Sequence, residues 1–256
     1  MKYNTDLKFR FFFGLIFLFL GTSLQAEVRK GSMGDNVAYQ WDTETGQVTI
    51  SGQGAMYNYD NYETVSPLYN PDIKAVIIEE GVTSIGSYAF YQCSSLTSVE
   101  IPASVTSIGD HAFYYCSNLA ALEIPESITS IEAWTFYYCS HLTEIKLPAS
   151  VTAIGDQAFY FCKSLTSIEL PSRVSYIGDR AFSSCTALSS ITVGNTPAAI
   201  RANTFENVDK AQCVLYVPTG SEDTYQRTYY WKEFVNIQDK NLDAAAKYIE
   251  FILKQN

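Results

Sequence analysis

From residue 73 onward, apolar and polar positions recur along the chain with a period of 23. Leu96, Leu119, Leu142, Leu165 and Leu188 keep this spacing, as do Phe90, Phe113, Phe136, Phe159, Phe182 and Phe205. A third register runs Ile85, Ile108, Ile131, Ile154, Ile177 and Ile200, and Pro102, Pro125, Pro148 and Pro171 stay in step with it. Cys93, Cys116, Cys139, Cys162 and Cys185 form a fifth. Such self-similarity is the mark of a repeat array.

Written from its leucine, one unit reads LTSVEIPASVTSIGDHAFYYCSN, residues 96–118. Leu96, Val99 and Ile101 predict a short strand, and Pro102 ends it because proline has no amide to give the next ladder bond. Val105 and Ile108 predict a second extended piece, followed by a corner at Gly109. Ala112, Phe113 and Cys116 have three-to-four spacing, which predicts a single helical turn over AFYYC. Each unit is then one coil of a solenoid, and about six coils run from 73 to 210. One coil cannot bury its own apolar face, so stability must come from stacking, and both ends need covering.

The flanks fit that need. VAYQWDTETGQVTISGQG alternates apolar and polar residues around a TETG turn, which predicts a β-hairpin. After CVLYVP, which repeats the strand and proline, SEDTYQRTYYWKEF and LDAAAKYIEFILKQ have helical spacing, with Leu242, Ala245, Ile249 and Ile252 on one face. At the start, the charged MKYNTDLKFR, the apolar FFFGLIFLFL and the small-residue GTSLQA predict a signal peptide cut after Ala26. An uncleaved anchor is the alternative, since Leu24 is bulky for its place before the cut. The expected divisions are 1–26 signal peptide, 27–72 N-terminal β cap, 73–210 repeats, 211–240 C-terminal cap and 241–256 helical tail.

The unit L-x-x-I-x-I-P-x-x-V-x-x-I-G-x-x-A-F-x-x-C resembles the BspA-like bacterial leucine-rich repeats, and GQVTISGQGAM and CVLYVPTGSEDTYQ resemble that family's flanking segments. The resemblance implies a right-handed leucine-rich-repeat solenoid, rich in β-structure with short helical turns. It also implies a secreted or surface-displayed binding protein, some relatives being adhesins for host matrix proteins. It brings no catalytic residues and no cofactor.

Charge narrows the partners. The chain carries a formal net charge of −10; loss of residues 1–26 leaves 14 basic against 26 acidic residues, or −12. That balance argues against nucleic-acid phosphates and names no ligand by itself. A periphery facing protein or glycan partners outside the cell, or in the periplasm, is the expectation, with no membrane span after the leader.

Candidate chemistry is sparse. Coils stacked about 4.8 Å apart bring each cysteine beside its copy, a separation compatible with a disulfide's Cα distance of about 4.4–6.8 Å. Parallel side chains and an odd column of five argue instead for buried free thiols. Val208 occupies the slot in the sixth unit, so the slot takes a small apolar filler. A thiolate zinc site gathers close C-x-x-C pairs, whereas each coil here offers one cysteine. His111 and His141 lie off the column and are expected on surface loops. Gly52 and Gly54 are too few for a dinucleotide fingerprint. With no clustered nucleophile and base, the expectation is no enzyme, no metal and no cofactor.

The positions left over are aromatic. Between the phenylalanine and the cysteine stand Tyr91 and Gln92, Tyr114 and Tyr115, Tyr137 and Tyr138, Tyr160 and Phe161, then Ser183 and Ser184. Not all of these can be buried. Two readings stay open: the rings pack on one another to shield the core, or they form a recognition surface, for which rigid tyrosines are suited. The candidate ligand-binding residues are Tyr91, Tyr114, Tyr115, Tyr137, Tyr138, Tyr160 and Phe161. The outward strand positions, with Glu100, Glu123 and Glu169 and with Lys146 among them, read as a solvated sheet face or a shallow acidic one. The expected function is an adhesin-like module binding through the solenoid surface; the alternative is a structural spacer of the cell envelope.

Overall fold

The computed structural model describes residues 27–60, 63–194 and 196–241. The predicted signal peptide and most of the C-terminal tail, with its proposed apolar face, lie outside the described residues. Within them the chain winds as a β-solenoid of about seven turns with 23-residue spacing and little helix.

Each coil contributes two short strands to two parallel columns. The first column holds Ala75–Ile78, Ser98–Glu100, Ala121–Glu123, Glu144–Lys146, Ser167–Glu169, Ser190–Thr192, Val214–Val217 and Asn236–Asp239. Register follows the repeat: Val76 pairs with Val99, Leu122 with Ile145, and Ile168 with Ile191. The second column runs Val82–Ile85, Ser107–Ile108, Ser130–Ile131, Ala153–Ile154 and Tyr176–Ile177, with Ile131 opposite Ile154 and Ile154 opposite Ile177. Leu96, Val105, Ile108, Ala112, Phe113 and Cys116 of one coil all point inward and are fully or nearly fully buried. The Phe rings stack along the axis at 5.1–5.5 Å from Phe90 to Phe205.

The third side of each coil is not the helical turn that its spacing predicts. Its amides divide between two directions. Ala112, Tyr114 and Cys116 donate within the coil to Gly109, His111 and Phe113, closing three-residue turns. His111, Phe113 and Tyr115 donate across to the carbonyls of Ala133, Thr135 and Tyr137 on the next coil, at 3.2, 2.9 and 2.8 Å. A helix would keep all these bonds to itself and leave the coils unjoined. The resulting chain of turns requires left-handed φ at two positions per coil, 56° at His111 and 60° at Tyr115. That conformation costs about 1–2 kcal/mol for a residue with a Cβ, and the cross-coil bonds offset it.

All six cysteines are buried and free. Each thiol of the column reaches the preceding coil: Cys116 Sγ donates to the Phe90 carbonyl at 3.2 Å, Cys139 to Phe113 at 3.3 Å and Cys185 to Phe159 at 3.1 Å. Burial pushes the Cys93 and Cys185 thiols up to about 12 and those of Cys116 and Cys162 well above the ordinary value. These are fillers with a weak donor, not nucleophiles.

The chain on either side of the 73–210 units packs against the array. Three antiparallel strands, β1 (Val28–Ser32), β2 (Val37–Asp42) and β3 (Gln47–Gly52), precede the array, and β3 pairs in parallel with Ala75–Ile78. The β2–β3 turn is held by the Asp42 carboxylate, which accepts from the amides of Glu44 and Thr45, and by Gly46 at φ 77°. At the far end, helix α1 (Glu222–Arg227) and a 3₁₀ turn (Trp231–Glu233) follow the strand at Val214–Val217. Trp231 is fully buried, donates Nε1–H to the Ala198 carbonyl at 2.8 Å and meets Phe205 at 5.5 Å, with Phe234 edge-on to Phe205 at 5.4 Å. These rings close the phenylalanine stack.

Candidate functional site: an aromatic turn face

The turn side of the solenoid carries three parallel ladders of rings, because in-register positions bring like side chains together every 23 residues. The first runs Tyr69, Tyr91, Tyr114, Tyr137 and Tyr160, with centroids 5.8, 5.1, 4.6 and 4.8 Å apart. The second runs Tyr115, Tyr138 and Phe161 at 4.5 and 4.0 Å. It follows Gln92, whose Oε1 accepts from the Tyr69 hydroxyl at 2.9 Å. The third runs Tyr88, His111 and Trp134 at 4.3 and 5.5 Å, with interplanar angles of 7° at both steps. Adjacent ladders touch, as between Tyr114 and Tyr115 at 4.9 Å and between Trp134 and Tyr137 at 4.9 Å.

All seven sequence-predicted residues lie on this face, and each is half-buried. Interior rungs have both faces covered: Tyr137 lies between Tyr114 and Tyr160 at interplanar angles of 4° and 7°. What meets solvent is therefore ring edges and phenol hydroxyls, repeated at the coil spacing. Burial, with the neighbouring phenols adding to it, raises the titration of Tyr114, Tyr115 and Tyr137 above the ordinary phenol value. The second ladder ends under a cation, Lys163 Nζ lying 3.9 Å above the Phe161 centroid. Beyond it the fifth coil has Ser183 and Ser184, both buried, and the aromatic surface stops.

The third ladder was not foreseen, although Tyr88, His111 and Trp134 share the period and its signal was present. His111 also departs from expectation. It is a half-buried rung rather than a surface loop residue, 2.9 Å from Asp110 Oδ2. Burial lowers its basicity, and the Asp110 carboxylate works the other way.

On the opposite strand column, Thr97, Ser98, Glu100, Glu123, Glu144, Lys146 and Glu169 are exposed, and Lys146 stands in register with Glu123. Among the described residues, no group of three or more His, Cys, Asp or Glu side chains is placed to hold a metal ion. No helix there is long and apolar enough to cross a membrane.

Comparison with known proteins gives a consistent picture of kinship. The family model for the BspA type leucine rich repeat region matches in six copies, over residues 66–169 and 152–250. A leucine-rich repeat protein of T. pallidum is 30% identical over 61% of this chain and 68% of its own, with a TM-score of 0.47. One from Bacteroides ovatus is 27% identical over 73% of this chain and 55% of its own, with a TM-score of 0.49. A leucine rich cell surface protein from Faecalibacterium prausnitzii is 28% identical over 69% and 57%, with a TM-score of 0.43. The chain thus spans little more than half the length of the latter two. No curated protein matches it.

Proposed function

The chain belongs to the BspA-type leucine-rich repeat family, and from that premise we propose that it is an exported, adhesin-like module that binds a protein partner through its aromatic turn face. The family mediates protein binding and adhesion in general. The observation that carries the proposal is the continuity of the ladders: Tyr91, Tyr114, Tyr137 and Tyr160 of the first and Tyr115, Tyr138 and Phe161 of the second form one half-buried surface, with the third ladder beside it. Large aromatic patches are uncommon on a protein surface without a use, and tyrosine is enriched where proteins recognise one another.

The stacking also bears on the class of ligand. A sugar ring recognised by an aromatic residue lies on the ring face, and interior rungs have none to offer. Hydroxyl edges in a regular row suit backbone carbonyls and side-chain acceptors of a protein surface. The runner-up, a spacer whose surface recognises nothing, draws on the same packing, since rings stacked this closely also shield the core.

The test is retention of the purified protein on a broad panel of extracellular matrix proteins and glycans, against a variant with Tyr114→Ser, Tyr137→Ser and Tyr160→Ser. At least one matrix protein should be retained, and the triple variant should lose at least tenfold in affinity, as expected for clustered tyrosine hot spots. Retention of nothing across the panel supports the spacer.

A further inference from the structure

A groove lies away from the ladders, where the C-terminal segment meets the last coils. Of the twelve non-glycine residues with positive φ among the described residues, eleven sit on the two turn columns and follow from the repeat. The twelfth, Tyr230, has φ 67° and ψ −39° and lies outside the period. Such a γ-turn-like conformation is rare for a bulky residue and costs of the order of 1–3 kcal/mol. It persists because the chain is pinned on both sides: Trp231 Nε1–H donates to the Ala198 carbonyl, and the Tyr225 hydroxyl to the Gly194 carbonyl at 2.9 Å. Tyr229, the neighbour of Tyr230, is 66% exposed, and both line this groove of about 500 Å³.

The groove is unlike the rest of the surface. Its lining is largely apolar, with Pro197, Ala199 and Ile200 beside Tyr229, and carries Arg173 and Ser175 among its polar groups but no carboxylate. Arg173 makes no ion pair among the described residues. Lys232 Nζ adds a second cation, 5.1 Å from the centre of the Tyr229 ring. On a chain of net charge −10, Arg173 is the one charged group in the lining of this groove. Tyr229, unlike the ladder rungs, meets its one ring partner at a tilt, Tyr230 at 57°, and so is not covered by a parallel ring.

We propose that this groove binds a carboxylate-bearing saccharide, with a pyranose ring on the face of Tyr229 and the carboxylate taken by the Arg173 guanidinium. Each element has a place in that chemistry. The part of the Tyr229 ring that Lys232 leaves open, on a residue 66% exposed, accepts the apolar side of the sugar, serine and threonine hydroxyls satisfy its hydroxyls, and a planar guanidinium matches a carboxylate in two parallel hydrogen bonds. An amine-bearing ligand would be repelled by Arg173.

Isothermal titration of the whole protein tests the proposal, with trigalacturonate and a sialylated trisaccharide as probes. Fully methyl-esterified trigalacturonate and hexaglutamate are the comparison ligands. At least one acidic saccharide should bind, the ester at least tenfold more weakly. Arg173→Gln and Tyr229→Ser should each weaken binding at least tenfold, while Tyr137→Ser on the ladder should leave it unchanged. Both substitutions lie on exposed side chains, and circular dichroism checks that the fold is retained. Failure of both acidic probes, equal binding of the ester, equal binding of hexaglutamate, or an unaffected Arg173→Gln would each overturn it. None of these results bears on the ladder face, so the two proposals fail separately.

Discussion

Phe136 and Tyr137 are neighbours in sequence with similar stacking geometry on opposite sides of one turn, and substituting each by alanine separates what the core needs from what the surface offers. Phe136 is fully buried between Phe113 and Phe159, at 5.5 and 5.3 Å with interplanar angles of 1° and 10°. Removing it forfeits about 1.5–3 kcal/mol of apolar transfer and leaves a cavity at the solenoid axis, so the total should be about 3–5 kcal/mol. Both adjacent coil interfaces lose a partner, which should also weaken the cooperativity of the array. Tyr137 stacks at 4.6 and 4.8 Å but is only half-buried, and solvent fills the space it leaves. Its loss should cost about 1–2 kcal/mol, from half the transfer term and one or two ring contacts. Guanidinium denaturation followed by far-ultraviolet circular dichroism measures both. Phe136→Leu, which keeps most of the volume, provides an intermediate point if the alanine variant is unfolded at the outset. Equal costs for Phe136→Ala and Tyr137→Ala, or a near-native midpoint for Phe136→Ala, would refute the division into an inner structural stack and an outer ladder.

Two further predictions concern the core and the coil contacts. The column thiols should resist alkylation by iodoacetamide in the native protein at pH 8 and react fully in denaturant; label in the native state would show that the column is open. Their folded values are raised above the unfolded thiol's, so the associated stability is intact below about pH 8.5. It should be lost as pH rises toward 12, visible as a denaturation midpoint that is flat to pH 8 and falls beyond 9. Gly86→Ala should destabilise by about 1–3 kcal/mol through overpacking, since a Cβ there would stand 1.8 Å from the Tyr57 carbonyl oxygen; a wild-type midpoint would mean that the N-terminal segment packs differently.

The repeat made most of this architecture legible, because a column of identical residues states both its spacing and its direction. The inward Phe, Leu, Ile and Cys positions and the outward strand positions could be read from period and polarity alone. The turn side was misread as helical for a specific reason: its within-coil bonds do have helix-like spacing at Ala112, Tyr114 and Cys116, and only the alternate amides reveal the cross-coil bonding. A one-dimensional pattern does not show where an amide is directed. The same limit hid the role of His111, whose neighbours in space, Tyr88 and Trp134, lie 23 residues away on either side. Tyr229 carries no periodic signal, because it lies beyond the 23-residue repeats, where the array ends.

The central claim is that ligand is held by the aromatic turn face rather than by the acidic strand face. The measurement that addresses it most directly is the affinity of one retained matrix protein for three forms: the wild type, the Tyr114→Ser, Tyr137→Ser, Tyr160→Ser variant, and a variant with Glu100→Gln, Glu123→Gln and Glu169→Gln. The tyrosine variant should bind at least tenfold more weakly and the glutamine variant within about twofold of wild type, since rim charges contribute mainly to association rate. The reverse order, with the glutamine variant crippled and the tyrosine variant intact, would contradict the account.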